Sequence, residues 1–274
     1  MNPNGFRNRY GPWAVVAGAS EGLGAAFARE CASRGLNVCL VARSKRKLDA
    51  ELKTIVDKYS VACRTLELDL SEGNAAEVLD SHTSDIDVGL LVYNAALSLI
   101  GPYASFSESQ HRDTLATNCV SPALCSFRFG KRLAKRGKGG ILLMSSLAGL
   151  QGSPNIAHYA ATKAYLLTLA QGLASEYASA NVDVLACCAG STATPGFARA
   201  SGSAEPSLLV MRPETVARKA LNHLHKRGVY VPGFANAASA FVLSRLLPRR
   251  AAVAILSQST SKLGGTLSAG EGPQ

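Results

Sequence analysis

"VVAGASEGLGAAFARECASRG", Val15 to Gly35, runs from an apolar stretch through a turn holding Gly18, Gly22 and Gly24 into an alanine-rich helical pattern. Glycines at a strand-to-helix turn let the backbone approach a pyrophosphate, and the helix N-terminus supplies amide donors and positive dipole. Ala25, Ala26 and Ala28 let that helix lie close to a sheet. The spacing is G-x-x-x-G-x-G rather than G-x-G-x-x-G. Taken alone it also suits a plain tight connection, so the surrounding chain has to decide.

Working outward, "WAVVAG" (13–18), "NVCLVA" (37–42), "ACRTLELD" (62–69), "VGLLVYNA" (88–95), "GGILLMSS" (139–146), "VDVLACCA" (182–189) and "GVYVPG" (228–233) read as strands. Helical patterns fall near 22–34, 45–58, 107–135, 157–179 and 213–227. This alternation predicts an α/β fold: a doubly wound parallel sheet of about seven strands in three α/β/α layers, with ligands bound at the carboxyl ends of the strands. Neither linker nor repeat divides the chain, so residues 12–234 form one domain. Residues 1–11 are an N-terminal extension, 235–262 an apolar and basic helical segment, and 263–274 a tail expected to be disordered.

A formal charge of +10 over 274 residues suits a polyanionic partner, but the basic residues form only short clusters such as "RSKRK" (43–47) and "PRR" (248–250). No recognition helix with basic arms emerges, and a basic cofactor pocket explains the charge without nucleic acid. Seven cysteines without paired spacing, Cys187 and Cys188 among them, read as core residues in a reducing compartment. No metal ligand set stands out. Residues 1–12 lack an apolar signal core, so the expected location is the cytoplasm.

In "HYAATKAYLLTLAQGLASEY" (158–177), Tyr159 and Lys163 lie one turn apart. Positions i and i+4 share a helix face, so both groups point into one cleft. A free phenol titrates near pH ~10, and a neighbouring cation favours phenolate, which suits proton exchange at neutrality. His158 points away from that face and reads as a packing residue. At the end of the second strand an acid would bind ribose hydroxyls, whereas arginine accommodates a 2′-phosphate. Ala42 fills the acidic position and Arg43 follows, which favours NADP(H) over NAD(H), although Glu21 in the glycine turn works against it.

The glycine turn, "NAA" at 94–96, Asn118, "SS" at 145–146 and Tyr159-x-x-x-Lys163 occur in the order of the short-chain dehydrogenase/reductase family. The chain resembles its single-domain branch over roughly residues 12–196. That resemblance implies a Rossmann-type sheet binding NAD(P)(H), with Tyr159 as general acid/base and Lys163 holding the nicotinamide ribose and lowering the tyrosine pKa. Ser146 would bind the substrate oxygen, and Asn118 would hold a water linking the lysine to solvent. The cofactor would lie along Gly18, Ser20, Gly22, Leu23 and Gly24, then Arg43, Ser44, Asp69 and Leu70. Further contacts would come from Asn94, Ala95, Gly190, Thr192 and Thr194, beside Tyr159 and Lys163.

Departures from the family pattern are Ala17 for a threonine, Ala96 for the glycine of "NAG", and Ala189-Gly190 for Pro-Gly. They bear on cofactor geometry rather than on the proton relay. The expected activity is interconversion of an apolar carbonyl compound and its alcohol; the competing reading is a catalytically silent NADP(H)-binding regulator. Residues 191–213 would form a mobile substrate lid. The segment 235–256 carries Arg245, Pro248, Arg249 and Arg250, which argue against a spanning helix. It could cover the substrate pocket, join subunits or lie on a membrane surface, in that order, with membrane contact not expected. Family habit implies a homodimer or homotetramer.

Overall fold

The computed structural model describes residues 3–201 and 210–260. Seven parallel strands line up in the order β3-β2-β1-β4-β5-β6-β7: β1 (Trp13–Ala17), β2 (Asn37–Ala42), β3 (Cys63–Glu67), β4 (Val88–Tyr93), β5 (Gly139–Ser146), β6 (Val182–Ala189) and β7 (Gly228–Tyr230). Strand order reverses between β1 and β4, where a ligand crevice opens at the carboxyl ends. Strands β4 and β6 are buried along their whole length, as near-continuous apolar runs in a sheet covered on both faces should be.

One face is covered by α2 (Gly22–Ser33), α3 (Lys45–Lys58) and α9 (Pro213–His223). The other packs under α4 (Ala75–His82), α6 (Ser121–Arg136) and α7 (Ala157–Glu176). The helix expected over 107–135 divides into α5 (Glu108–Leu115), a π-turn (Ala116–Val120) and α6. Ser107 opens α5 with a reciprocal capping box to Gln110, which explains its start. The π-turn widens the helix at the level of Asn118, and the Thr117 carbonyl there accepts the Tyr93 hydroxyl at 2.8 Å. Helix α8 (Pro195–Ser201) follows β6, and α10 (Phe234–Phe241), a second π-turn (Val242–Leu246) and α11 (Arg249–Thr260) close the described chain.

Besides α8, two elements that pack into the core were not legible in the sequence. Helix α4 is a short amphipathic piece whose Ala75, Ala76 and Leu79 carry its whole buried face. The second is α1 (Pro3–Tyr10), inside what reads as a polar extension. Phe6 and Tyr10 are fully buried, so α1 packs into the same core as the sheet. Their anchor is Asp183, a fully buried residue of β6 that accepts hydrogen bonds from Arg9, from the Tyr10 hydroxyl at 2.7 Å and from Arg227 at 2.7 Å. A lone polar residue in a polar stretch gives no hint of a partner more than a hundred residues away. The lid expected at 191–213 is tied at its base, with Met211 N–H donating to Ser191 and Ala193 N–H to Met211, both at 2.9 Å. Its middle, 202–209, and the tail at 263–274 lie outside the described residues.

Burial alone would raise the Asp183 carboxyl, but hydrogen bonds from Arg9, Tyr10 and Arg227 outweigh it and hold the group below the usual carboxylate range. A depressed folded-state pKa contributes stability at neutral pH that is lost as pH falls through that pKa. We therefore expect Asp183→Ala to cost about 3 kcal/mol at pH 7, because two arginines and a phenol lose their shared acceptor. The loss relative to wild type should shrink in acid, and urea titrations at neutral and acidic pH measure both effects.

Candidate active site

The site is built on the ends of β4, β5 and β6. Helix α7 presses onto β5 so closely that a Cβ on Gly149, in the turn between them, would stand 2.7 Å from the Lys163 carbonyl carbon. Lys163 is held at both ends. Its Nζ donates to the Met144 carbonyl at 2.8 Å, and its own carbonyl accepts the Ser145 hydroxyl at 2.7 Å. The two serines thus divide as strand alternation predicts: Ser145 anchors the helix, and Ser146 faces the cleft, where it hydrogen-bonds Tyr159. Ser98, an exposed residue beyond β4, reaches the same phenol. Nothing in its local sequence marks it, since only the β1–β4 crossing brings that loop to α7.

Burial pushes the Tyr159 phenol above its usual range, and the hydrogen bonds from Ser146 and Ser98 only partly offset it. The Lys163 ammonium lies 5.5 Å from the centre of the tyrosine ring. Burial pulls that ammonium down to about 8, against the opposing influence of the Cys119 and Cys188 thiols. The expected acidification of the phenol by lysine is therefore not what these residues produce by themselves. Desolvation acts on both groups, raising the acid and weakening the cation.

Asn118 is wholly buried, and its side chain is committed to protein. Its Oδ1 accepts the Leu97 N–H at 2.8 Å, while Nδ2 donates to the Leu97 carbonyl at 2.8 Å and to Thr162 Oγ1 at 3.0 Å. Thr162 in turn donates to the Tyr159 carbonyl at 2.8 Å. Asn118 is thus a brace between the 94–98 loop and the start of α7. His158 packs edge-on against His111 with centroids 4.7 Å apart, in keeping with a packing role.

The glycine turn fits a nucleotide. Gly18 and Gly22 adopt φ of 82° and 59°, and a Cβ on Gly24 would sit 1.8 Å from the Gly18 carbonyl oxygen. The N-cap of α2, Glu21, makes no side-chain cap bond to the first turn, and that turn contains no acid. Its amides are not taken up by a capping side chain, which is the donor arrangement a pyrophosphate needs. Asn94 ties β4 to the turn by donating to the Gly18 carbonyl at 3.2 Å, and Ala95 lies against Gly18. Ala17 meets β4 through its main chain, its carbonyl accepting Asn94 and Ala95 N–H, so no hydroxyl is required there.

The adenosine end carries charge. Arg43 lies 3.8 Å from Asp69, and Lys47 pairs with Glu21 at 2.6 Å. Ser20 is half-buried, and Ser44 caps α3 through Lys47 N–H. Leu70 is buried, and Leu23 is partly buried against the core. Thr194 lies beside Gly22 and caps α8 through Phe197 N–H at 3.1 Å, while Thr192 bonds back to Gly190. Asn236 of α10 packs on Gly190 so tightly that a Cβ there would meet it at 2.8 Å. This contact draws the C-terminal segment to the rim of the site, and no spacing in the sequence announces it.

Lys163 supplies a stability test. With its ammonium at about 8 against an ordinary 10.5, the folded chain binds fewer protons than the unfolded one between those values. The cost of burying the charge is thus fully present below pH 8 and relieved as pH rises to 10.5. Without added cofactor, Lys163→Met should stabilise the protein at pH 7 by a net of about 1–2 kcal/mol, the relief exceeding the lost bond to Met144. The gain should fade toward pH 10 in chemical denaturation.

Comparison with known proteins agrees with this geometry. The short chain dehydrogenase family model matches residues 12–204. A 7β-hydroxysteroid dehydrogenase from Clostridium sardiniense is 36% identical over 232 residues, covering 84% of this chain and 89% of that protein. A solved 7β-hydroxysteroid dehydrogenase structure superposes with a TM-score of 0.86 at 27% identity, over 93% of this chain and 99% of the other. A short-chain dehydrogenase from Sphingobium yanoikuyae in complex with NADPH gives 0.76 at 26% identity, over 95% and 99%. The protein belongs to the short-chain dehydrogenase family and is an NAD(P)-dependent dehydrogenase/reductase.

Proposed function

We propose that the protein is an NADP(H)-dependent oxidoreductase interconverting a secondary alcohol and its ketone on an apolar, fused-ring skeleton of the hydroxysteroid kind. The observation that carries the chemistry is the convergence of the Ser146 and Tyr159 hydroxyls above a buried Lys163. The bound nicotinamide supplies or accepts the hydride. In the reducing direction Ser146 and Tyr159 donate to the substrate oxygen as charge builds on it, and Tyr159 delivers the proton. Burial holds the phenol above its usual range, so it keeps its proton until charge develops on the substrate oxygen. In this reading Lys163 would hold the ribose and favour proton return, and Asn118 keeps the 94–98 loop registered on α7. The ring-system substrate is supported by the 7β-hydroxysteroid dehydrogenase relatives.

Two charge pairs support the choice of NADP(H). Glu21, the acid that would repel a 2′-phosphate, is neutralised by Lys47. Arg43 is 64% exposed and only loosely paired with Asp69, so it can turn toward an added phosphate. We place the protein in the cytoplasm, as a homodimer or homotetramer joined through α5–α7. Leu115, Val120, Leu124, Phe127 and Tyr165 on those helices are large exposed apolar residues.

Tyr159→Phe should lower turnover of a hydroxysteroid or oxosteroid substrate by about 10²–10⁴-fold, with NADPH affinity near wild type. Steady-state kinetics and fluorescence titration read the two quantities. A wild type that binds NADPH but reduces none of a panel of oxosteroids and other ketones would favour the silent regulator instead. Arg43→Ala should weaken NADPH by about tenfold or more, the worth of a charge-assisted bond, and leave NADH almost unchanged. Equal losses for both cofactors would assign the 2′-phosphate to another residue.

A further inference from the structure

Residues 215–270 contain no aspartate or glutamate but eight lysines and arginines, so most of the net charge of +10 comes from the C-terminal fifth of the chain. Within that run, α10 turns its faces the unexpected way. Asn236 and Ala240 point inward. Phe234, Phe241 and Leu246 are 91%, 58% and 63% exposed, with Val242 and Arg245 exposed between them. Positions 234, 238, 241, 242, 245 and 246 follow helical spacing, so the large apolar side chains form one outward stripe with an arginine in it. Single exposed phenylalanines are ordinary, whereas a stripe of them is a contact surface.

Its position is specific. Asn236 packs on Gly190 at the end of β6, and α10 touches the Leu147–Leu150 turn that follows Ser146. Beyond that turn an open cavity of about 440 Å³ is lined by Gln151, Gly152, Arg250 and Val253. The stripe therefore lies on the outer face of a helix that packs on the end of β6 and the turn after Ser146.

Charge selects among the possible occupants. A second copy brought face to face would set one acid-free arginine surface against another. Nucleic acid would match the charge but leave Val242 and Leu246 without an apolar partner. A bilayer with anionic headgroups satisfies both, taking aromatic and aliphatic side chains at the headgroup boundary and arginines on the phosphates.

We infer that Phe234–Val253 is a docking surface for an anionic membrane, laying the carboxyl ends of the strands toward the lipid. This is peripheral attachment: among the described residues no helix is long and apolar enough to cross a membrane. It reverses the order of alternatives drawn from the sequence, because exposure of the phenylalanines is a property of how α10 docks. Attachment in this orientation opens the cavity to the phase in which an apolar substrate is concentrated, and it is independent of the hydride chemistry.

The full-length protein should co-sediment with phosphatidylcholine vesicles containing phosphatidylglycerol, weakly with phosphatidylcholine alone, and less as salt is raised. Phe234→Asp with Phe241→Asp should reduce binding by about tenfold or more per phenylalanine, with thermal unfolding unchanged since both side chains are exposed. Arg245→Glu with Arg250→Glu should flatten the salt dependence. As a check that does not weaken the surface, Phe241→Trp should be quenched by brominated lipid. Three results would overturn the inference: no co-sedimentation at low salt, vesicle binding unaffected by the two aspartates, or an aspartate variant that falls from dimer to monomer by light scattering, which would make the stripe a subunit contact.

Discussion

The seating of α7 on β5 is the contact on which the site depends. Ser145 takes the Lys163 carbonyl, Met144 takes its ammonium, and Gly149 removes the side chain that would keep helix and strand apart. A cation in an apolar interior is costly, and this one keeps a single main-chain acceptor among the described hydrogen bonds. The consequence is a lysine whose charge is easily lost beside a phenol whose proton is tightly held. Both perturbations come from the same desolvation, and strongly perturbed titratable groups of this kind cluster at functional sites.

The neighbouring elements serve that contact. The π-turn at Ala116–Val120 sets Asn118 where its amide can grip both the Leu97 backbone and Thr162. Such turns are frequent at functional sites because they displace one residue from the helical register. On the other flank, Asn236 against Gly190 fixes the C-terminal segment to the end of β6. The candidate site is therefore flanked by parts of the chain with no sequence proximity to one another.

Charge is distributed by task. Glu21 and Lys47 neutralise each other, while Arg43 at the end of β2 stays exposed, 3.8 Å from Asp69. Around Asp183, near the amino end of β6, Arg9 and Arg227 fasten the first helix and the turn before the last strand to the sheet. The remaining excess gathers in the acid-free C-terminal run. A net charge of +10 conceals these separate roles, which only position reveals.

The residues legible in the sequence were those whose signal is local. Glycines at a strand-to-helix turn, seven apolar runs and a tyrosine four residues before a lysine state their geometry through backbone sterics and the 3.6-residue period. They determined the sheet, the glycine turn and the shared helix of Tyr159 and Lys163. What only the tertiary structure decided was everything that needs two distant segments to meet. Ser98 reaches Tyr159, Asp183 captures Arg9 and Tyr10, Asn118 spends its amide on Leu97, and α10 turns its phenylalanines outward. A sequence records the hydrogen-bonding capacity and apolar area each residue brings; which partner meets that capacity, and which face meets solvent, depends on packing that forms only when the chain closes on itself.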